Sequence, residues 1–436
     1  MSQKMHSSGH LETKPVDPGG INVVSLSLRA MAWIRQIPPA RAGGRLAGVY
    51  REIRSEVPRV PNLMQVFSLR PETMEGLYRS WLSSMWNGSV DRQTRELMAL
   101  AVARSARCDY CVDSHLVFLQ ACGMDRDQAF AIERDSAALE DLPEAVRVAM
   151  ELASRLTSDP RNLCDEDLLA LRRCWPVLEQ RVELISVAAG FNCITRVANS
   201  LGVDQEIPRS VRRFAAGRRG AISLLSRLTA VSMDMDFKPV PARPPEENLR
   251  ALDFLFFSQL GFASLPPGFT VLQHCPEMFD GQLRLMEKAV AVMPRDRWMR
   301  LGLVIGKLTG CDYFSENCAA WLEQRGVDSA DVVAAAEGAQ SSLADAEKCC
   351  LRFARDLTLH SHTMDESRVR GLRAAGLSDG AILDLAFVSG VFNGMVRHVA
   401  ALAVEESVAD ESESLVESDD ASGHLNGNAP AGDDFH

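Results

Sequence analysis

Four residues of this chain have the types and spacing to do chemistry together: Glu96, Cys108, Cys111 and His115. Two cysteines three apart, a histidine four further on and a carboxylate upstream are the parts of a thiol redox site. A thiol reacts as its thiolate, and a neighbouring base that takes the proton makes one cysteine far more reactive than the rest.

Residues 92–104 are strong helix formers with no breaker, and residues 109–121 read as a second helix that stops near Gly123. One continuous helix would hold Glu96 about 18 Å from Cys108, at roughly 1.5 Å rise per residue, which is beyond chemical reach. A reversal near Ser105–Arg107 instead lays the two helices antiparallel, with Glu96 opposite His115. Cys108, Cys111 and His115 follow i, i+3, i+7 spacing and share one helix face. Both cysteines fall near that helix's N-terminus, where unpaired N–H groups and the macrodipole favour a thiolate. The spacing supports a relay from carboxylate to imidazole to thiol. Two other readings stand beside it. The cysteines could be small buried apolar side chains, or zinc ligands. A closed zinc site needs four ligands, and this stretch offers three on one face with no second Cys-x-x-Cys.

In type and spacing, Glu96, Cys108, Cys111 and His115 resemble the signature of the alkyl hydroperoxidase D-like enzymes of the carboxymuconolactone decarboxylase superfamily. Pro61-Asn62-Leu63 with Pro71-Glu72 looks like the entry of its peroxidase-related branch. Phe191-Asn192, Arg196 and Leu201-Gly202-Val203 look like its closing helix. The resemblance covers roughly residues 50–205. It implies an all-α fold, assembled as a homo-oligomer, and a peroxidatic disulfide cycle. Carried over by position, Cys111 attacks a hydroperoxide and becomes a sulfenic acid, Cys108 resolves it as a disulfide, and His115 with Glu96 takes the thiol proton through a water. The substrate would be an organic hydroperoxide or hydrogen peroxide. An external dithiol, lipoyl-bearing or thioredoxin-like, would reset the pair. No cofactor and no metal is required. Tyr110 stands where the best-studied type carries a histidine, and peroxidase-related members often have an aromatic there. The decarboxylase branch lacks the cysteine pair. Alternatives to a peroxidase are a decarboxylase or isomerase of a carboxylated lactone-like substrate, and a non-enzymatic redox-sensing scaffold.

The chain also reads as an internal duplication at a spacing near 203 residues. Leu265-Pro266 with Pro276-Glu277 repeats Val60-Pro61 with Pro71-Glu72. Cys311-Asp312-Tyr313 repeats Cys108-Asp109-Tyr110, and Phe392-Asn393 with Arg397 repeats Phe191-Asn192 with Arg196. The chemistry is not repeated: Met299 replaces Glu96, Phe314 replaces Cys111 and Cys318 replaces His115. The expectation is therefore all-α, two tandem helical domains of this family, the second catalytically degenerate and serving as a covalent stand-in for a neighbouring subunit. His360-Ser361-His362 reads as exposed loop histidines, because residues at i, i+2 do not share a helix face.

At 436 residues the chain can hold two or three domains. The expected organisation is a disordered arm over 1–20, the first domain over 21–205 opening on an amphipathic helix from Ile21 to Ile37, a Pro-rich linker over 206–248, the second domain over 249–404, and an acidic disordered tail over 405–436. The net charge of −11 comes almost entirely from that tail, which holds ten acidic residues and no lysine or arginine. The basic run Arg209–Arg227 lies beside a linker and holds a single aromatic, Phe214, so no nucleic-acid partner is expected. No run of about 20 apolar residues predicts a membrane span, and Met1–Gly20 lacks a secretory pattern. Eleven scattered cysteines fit a reducing cytoplasm better than a secreted disulfide framework. Most read as buried structural thiols, among them Cys122, Cys174 and Cys193.

Overall fold

The computed structural model describes residues 32–135, 137–232, 238–239, 256–262 and 264–423. It is all-α apart from one two-residue parallel pairing, Asn87–Gly88 with Lys238–Pro239. The first half runs α1 (Gly44–Glu56), α2 (Asn62–Val66), α3 (Pro71–Trp86), α4 (Arg92–Ser105), α5 (Asp109–Ala121), α6 (Arg126–Arg134), α7 (Glu144–Ser158), α8 (Asp165–Cys174) and α9 (Leu178–Ser200), followed by α10 (Arg209–Arg212) and α11 (Ala215–Ser232).

The helix starts follow local chemistry. Pro71 opens α3 at a position whose N–H would be unpaired in any case. The Asp91 carboxylate caps α4 by accepting from Thr94 N–H at 2.9 Å. Between α4 and α5 the chain reverses through Arg107, whose φ of 50° is left-handed, and Cys108 N–H closes back on Ala103 C=O at 2.9 Å. That reversal is the antiparallel hairpin the spacing predicts.

The second half repeats the element order in Pro276–Ala291, Arg295–Thr309, Asp312–Glu323, Asp345–His360 and Asp379–Gly423. A hydrogen-bond motif recurs with it. Asn192 Nδ2 donates to Thr157 Oγ1 at 3.0 Å, and Asn393 Nδ2 donates to Thr358 Oγ1 at 2.9 Å; both pairs are 35 residues apart. The halves join along α9 and the Asp379–Gly423 helix, and again along α3 and Pro276–Ala291. At the first seam Gly390 lets the backbones approach: a Cβ there would lie 2.7 Å from Val197 Cγ2. Arg70 adds a bidentate bridge across it to Asp384, at 2.9 and 2.7 Å. The Asp379–Glu405 stretch is apolar and long enough to cross a bilayer, but it is mostly buried among the other helices as a core element.

Several expected boundaries shift. The stretch assigned to a linker from 206 is helical over Arg209–Arg212 and Ala215–Ser232: Pro208 stands ahead of the first turn, where a proline is tolerated, no other proline follows before Pro239, and α11 packs against α5. The tail expected from 405 instead continues the last helix to Gly423, since no glycine or proline interrupts it before that point. Glu405 itself is buried, accepting from Arg172 at 3.2 Å and Arg181 at 3.0 Å. Ala32–Ile37 is not helical. There Trp33 N–H donates to Leu201 C=O at 2.9 Å, and its ring lies against Gly202, leaving no room for a Cβ at a residue whose φ of 60° already favours glycine. Cys193 is buried as expected, whereas Cys122 and Cys174 are partly exposed. The expected arm over 1–20, the prolines at 241–245 and residues 424–436 lie outside the described residues.

Candidate active site

The α4–α5 hairpin brings all four sequence-derived residues together. Cys108 is the N-cap of α5, and its Sγ accepts from Cys111 N–H at 3.4 Å. The two sulfurs lie 2.7 Å apart and both thiols are free. One turn on, His115 Nδ1 meets Glu96 Oε2 of the facing helix at 2.7 Å. A neutral ring held this way carries its proton on Nδ1 and keeps the Nε2 lone pair free to accept.

Arg92, which the sequence reading did not single out, completes the group. Its Nε donates to the other oxygen, Glu96 Oε1, at 2.7 Å. Its guanidinium lies 3.6 Å over the centre of the Trp86 ring. The signal was available, since Arg92 stands at i−4 from Glu96, where a side chain on the same face can reach it. Arg92, Glu96 and His115 are all buried. Burial opposes ionisation of Glu96, but the Arg92 guanidinium and the His115 ring outweigh it and hold the carboxyl below its ordinary range.

The thiol does not follow the helix-terminus expectation. Burial, reinforced by the adjacent Cys108, pushes Cys111 well above its ordinary pKa. A helix N-terminus contributes a fraction of a unit charge, and here desolvation of the anion is the larger effect.

Cys111 and His115 open onto a cavity of about 400 Å³. Trp81, Phe118, Phe191, Leu225 and Leu228 make its walls apolar. Phe191 packs edge-on against His115, ring centres 4.7 Å apart. The α11 wall was missed because that segment was assigned to the linker. Ile222, Leu225 and Thr229 at i, i+3, i+7 are the helical pattern that marks it. At the rim, the Tyr110 hydroxyl accepts from Leu63 N–H at 3.3 Å and donates to Glu206 Oε1 at 3.1 Å. Arg59 pairs with Glu206. Burial raises the Glu206 carboxyl above its ordinary range despite that pairing.

The corresponding positions of the second half hold Met299 for Glu96, Phe314 for Cys111 and Cys318 for His115. Met299, Phe314 and Cys318 are all fully buried, and Phe314 packs edge-on with Phe392 at 5.6 Å.

The site is thus a helical hairpin carrying a buried carboxylate, imidazole and thiol pair beside an apolar cavity in an all-α protein. Residues 71–155 match the carboxymuconolactone decarboxylase family, and that segment holds Glu96, both cysteines and His115. An alkyl hydroperoxide reductase of Mycobacterium tuberculosis is 29% identical over 194 residues, covering 44% of this chain and 53% of the relative. The chain thus spans about half the length of the curated relative it matches. A crystal structure of the alkylhydroperoxidase core of an uncharacterized peroxidase-related protein from Ralstonia eutropha aligns with 45% of this chain and 97% of its own, at 18% identity and a TM-score of 0.39.

Proposed function

We propose that the protein is a thiol peroxidase that reduces organic hydroperoxides, and hydrogen peroxide with them, through a Cys108–Cys111 disulfide cycle. The observation that carries this reading is the His115–Glu96 contact at 2.7 Å beside a free thiol pair whose sulfurs are 2.7 Å apart. His115 Nε2 takes the Cys111 proton, directly or through a water, as the sulfur attacks the distal peroxide oxygen. The O–O bond breaks, the proton returns to the departing alkoxide, and alcohol and a Cys111 sulfenic acid result. Cys108 then attacks that sulfur, expelling water and closing the disulfide. An external dithiol, lipoyl-bearing or thioredoxin-like, restores both thiols as it is itself oxidised. The high thiol pKa fits this order of events, because the proton leaves only when the base and the peroxide are both in place. The apolar walls favour an alkyl group over water. In this reading the second half packs where a neighbouring subunit of a homo-oligomer would, and carries no chemistry of its own.

The test is single-turnover oxidation of the fully reduced protein by cumene hydroperoxide, followed by stopped flow and peptide mass mapping. Rapid peroxide loss with a Cys108–Cys111 disulfide is the expected result. Slow, uniform oxidation of many thiols would refute it. Lactone decarboxylation or isomerisation that survives Cys108→Ser would move the assignment to that chemistry.

A further inference from the structure

A second cavity, of about 350 Å³, lies at the seam between the halves and is polar. Its lining includes Arg196, Arg397, Thr157, Thr358, Ser361 and His362. Arg196 and Arg397 are equivalent positions of the two halves. Both are almost completely buried, at 5% and 2% exposure. Neither forms an ion pair with a carboxylate among the described residues. Their partners are carbonyl and amide oxygens. Arg196 binds Asn192 Oδ1 at 2.6 Å, and Arg397 binds Leu156 C=O at 2.8 Å and Asn393 C=O at 2.7 Å.

Each guanidinium also reaches the same Thr157 C=O, with both contacts long at 3.4 Å. The two cationic nitrogens that share this oxygen are therefore within about 7 Å of each other, where like charges repel in a low-dielectric setting. The C-terminus of α7 supplies about half a negative charge, which is too little for two cations. Burial lowers the Arg196 pKa to about 10, and burial together with Arg196 lowers that of Arg397 well below its ordinary value. Arg196 Nε has no hydrogen-bond partner among the described residues. The hydroxyls of Thr157, Thr358 and Thr309 already donate to helix carbonyls. Donors remain on Arg196 Nε, on the long-bonded Nη2 atoms and on Ser361, which only accepts, from Asn199 at 3.1 Å. Arg161 and His362 add cationic or polar groups at the exposed mouth. The carboxylate there, Asp159, is engaged by Asn162 at 3.0 Å.

Two desolvated cations facing one polar cavity lack a counter-charge, and a buried unpaired charge is costly. We propose that this cavity is an anion site that takes the phosphoryl group of a small molecule, free phosphate or a short phosphate ester, between the guanidinium groups of Arg196 and Arg397. Guanidinium forks match phosphoryl oxygens in charge and shape. At about 30 Å³ per water the cavity has room for more than phosphate alone. The site exists because one chain carries both halves, and its ligand ties α7 and α9 to the Asp379–Gly423 helix.

The full chain would be tested by equilibrium dialysis with inorganic phosphate, by competition with glycerol 3-phosphate and succinate, and by thermal unfolding in phosphate against chloride of equal ionic strength. Saturable binding of phosphate in the millimolar range or tighter, with a higher unfolding midpoint, is expected. Arg196→Gln should weaken it by about tenfold or more, and the mouth variants Arg161→Ala and Ser361→Ala by a few-fold. The mouth variants carry the test should Arg196→Gln not fold. Tighter binding of the ester identifies a phosphorylated metabolite, and its exclusion identifies free phosphate. Three results would overturn the site: no saturable phosphate binding by the wild type, binding that the folded variants leave unchanged, or succinate competing better than either phosphate compound.

Discussion

Replacing Glu96 by glutamine separates a catalytic relay from a merely structural ion pair. The two Glu96 oxygens accept from opposite sides, Oε1 from Arg92 and Oε2 from His115, each at 2.7 Å. A glutamine amide has one oxygen and one NH2. Whichever way it turns, an N–H donor faces either the Arg92 guanidinium or His115 Nδ1–H. Turned with its NH2 towards Arg92, the amide leaves a buried donor without its acceptor, at about 1–3 kcal/mol; turned the other way, it forces the neutral His115 ring to accept at Nδ1 and carry its proton on Nε2; either way the guanidinium loses its counter-ion, bringing the total towards about 3–5 kcal/mol. The chemical cost is separate. Without the carboxylate the imidazole tautomer is no longer fixed, and loss of positioned base catalysis slows thiol attack by about 10²–10⁴-fold. Stopped-flow peroxide consumption across pH, at a temperature where circular dichroism shows the variant folded, distinguishes the two. Because Cys111 titrates well above its ordinary value, bulk hydroxide should replace the missing base as pH rises, so the deficit should shrink in alkali. A folded Glu96→Gln protein that oxidises within about twofold of wild type, or a deficit independent of pH, would refute the relay.

Four further outcomes follow from the same geometry. Cys111→Ser should abolish peroxide consumption, whereas Cys108→Ser should consume one equivalent and stop at the sulfenic acid, which dimedone labelling and mass spectrometry would detect. Stability should fall in alkali: Cys111 and Cys193 stay protonated in the folded chain while unfolded thiols ionise above 9.0, so the unfolded state binds fewer protons there and the urea midpoint should drop as pH passes that value. The Glu96 carboxyl has the opposite sign: its contribution is complete above 4.5 and is lost as pH falls below, which the same titration on Glu96→Gln should show as a flatter acid limb. Gly390→Leu should force α9 and the last helix apart and cost about 1–3 kcal/mol by overpacking, measured by thermal unfolding, since even a Cβ would stand 2.7 Å from Val197.

What the sequence made legible was local. The hairpin followed from two helical runs and a spacing that chemistry could not tolerate on one straight helix, and the Glu96–His115 contact followed from the hairpin. What it hid was tertiary. Prolines at 239–245 drew the linker too far towards the first domain, because α11 has helical apolar spacing but shows its purpose only when packed on α5. Likewise the acidic composition after 405 spoke for a solvated tail, yet Glu405 is fixed by Arg172 and Arg181, both distant in sequence. The thiol pKa was misjudged for the same reason: the macrodipole can be read from a helix boundary, whereas desolvation depends on what covers the site.

The two halves act as each other's control for the buried charges. In the first, Arg92, Glu96 and His115 are removed from water at a cost that a well-packed apolar set would avoid. In the second, Met299 and Cys318 occupy the equivalent places and are fully buried in a continuous apolar core. The helical hairpin therefore forms and packs without the carboxylate and the imidazole, and stability alone does not account for keeping them. They persist in the half that also keeps the thiol pair and the 400 Å³ cavity. At the positions of Cys111, His115 and Glu96 the second half carries Phe314, Cys318 and Met299. A pair of arginines shows the reverse pattern. Arg196 and Arg397 are both buried, each bound to the Asn of its own half and both reaching Thr157 C=O, although only one half holds the thiol site. Their burial belongs to the seam between the halves, where both reach the same carbonyl.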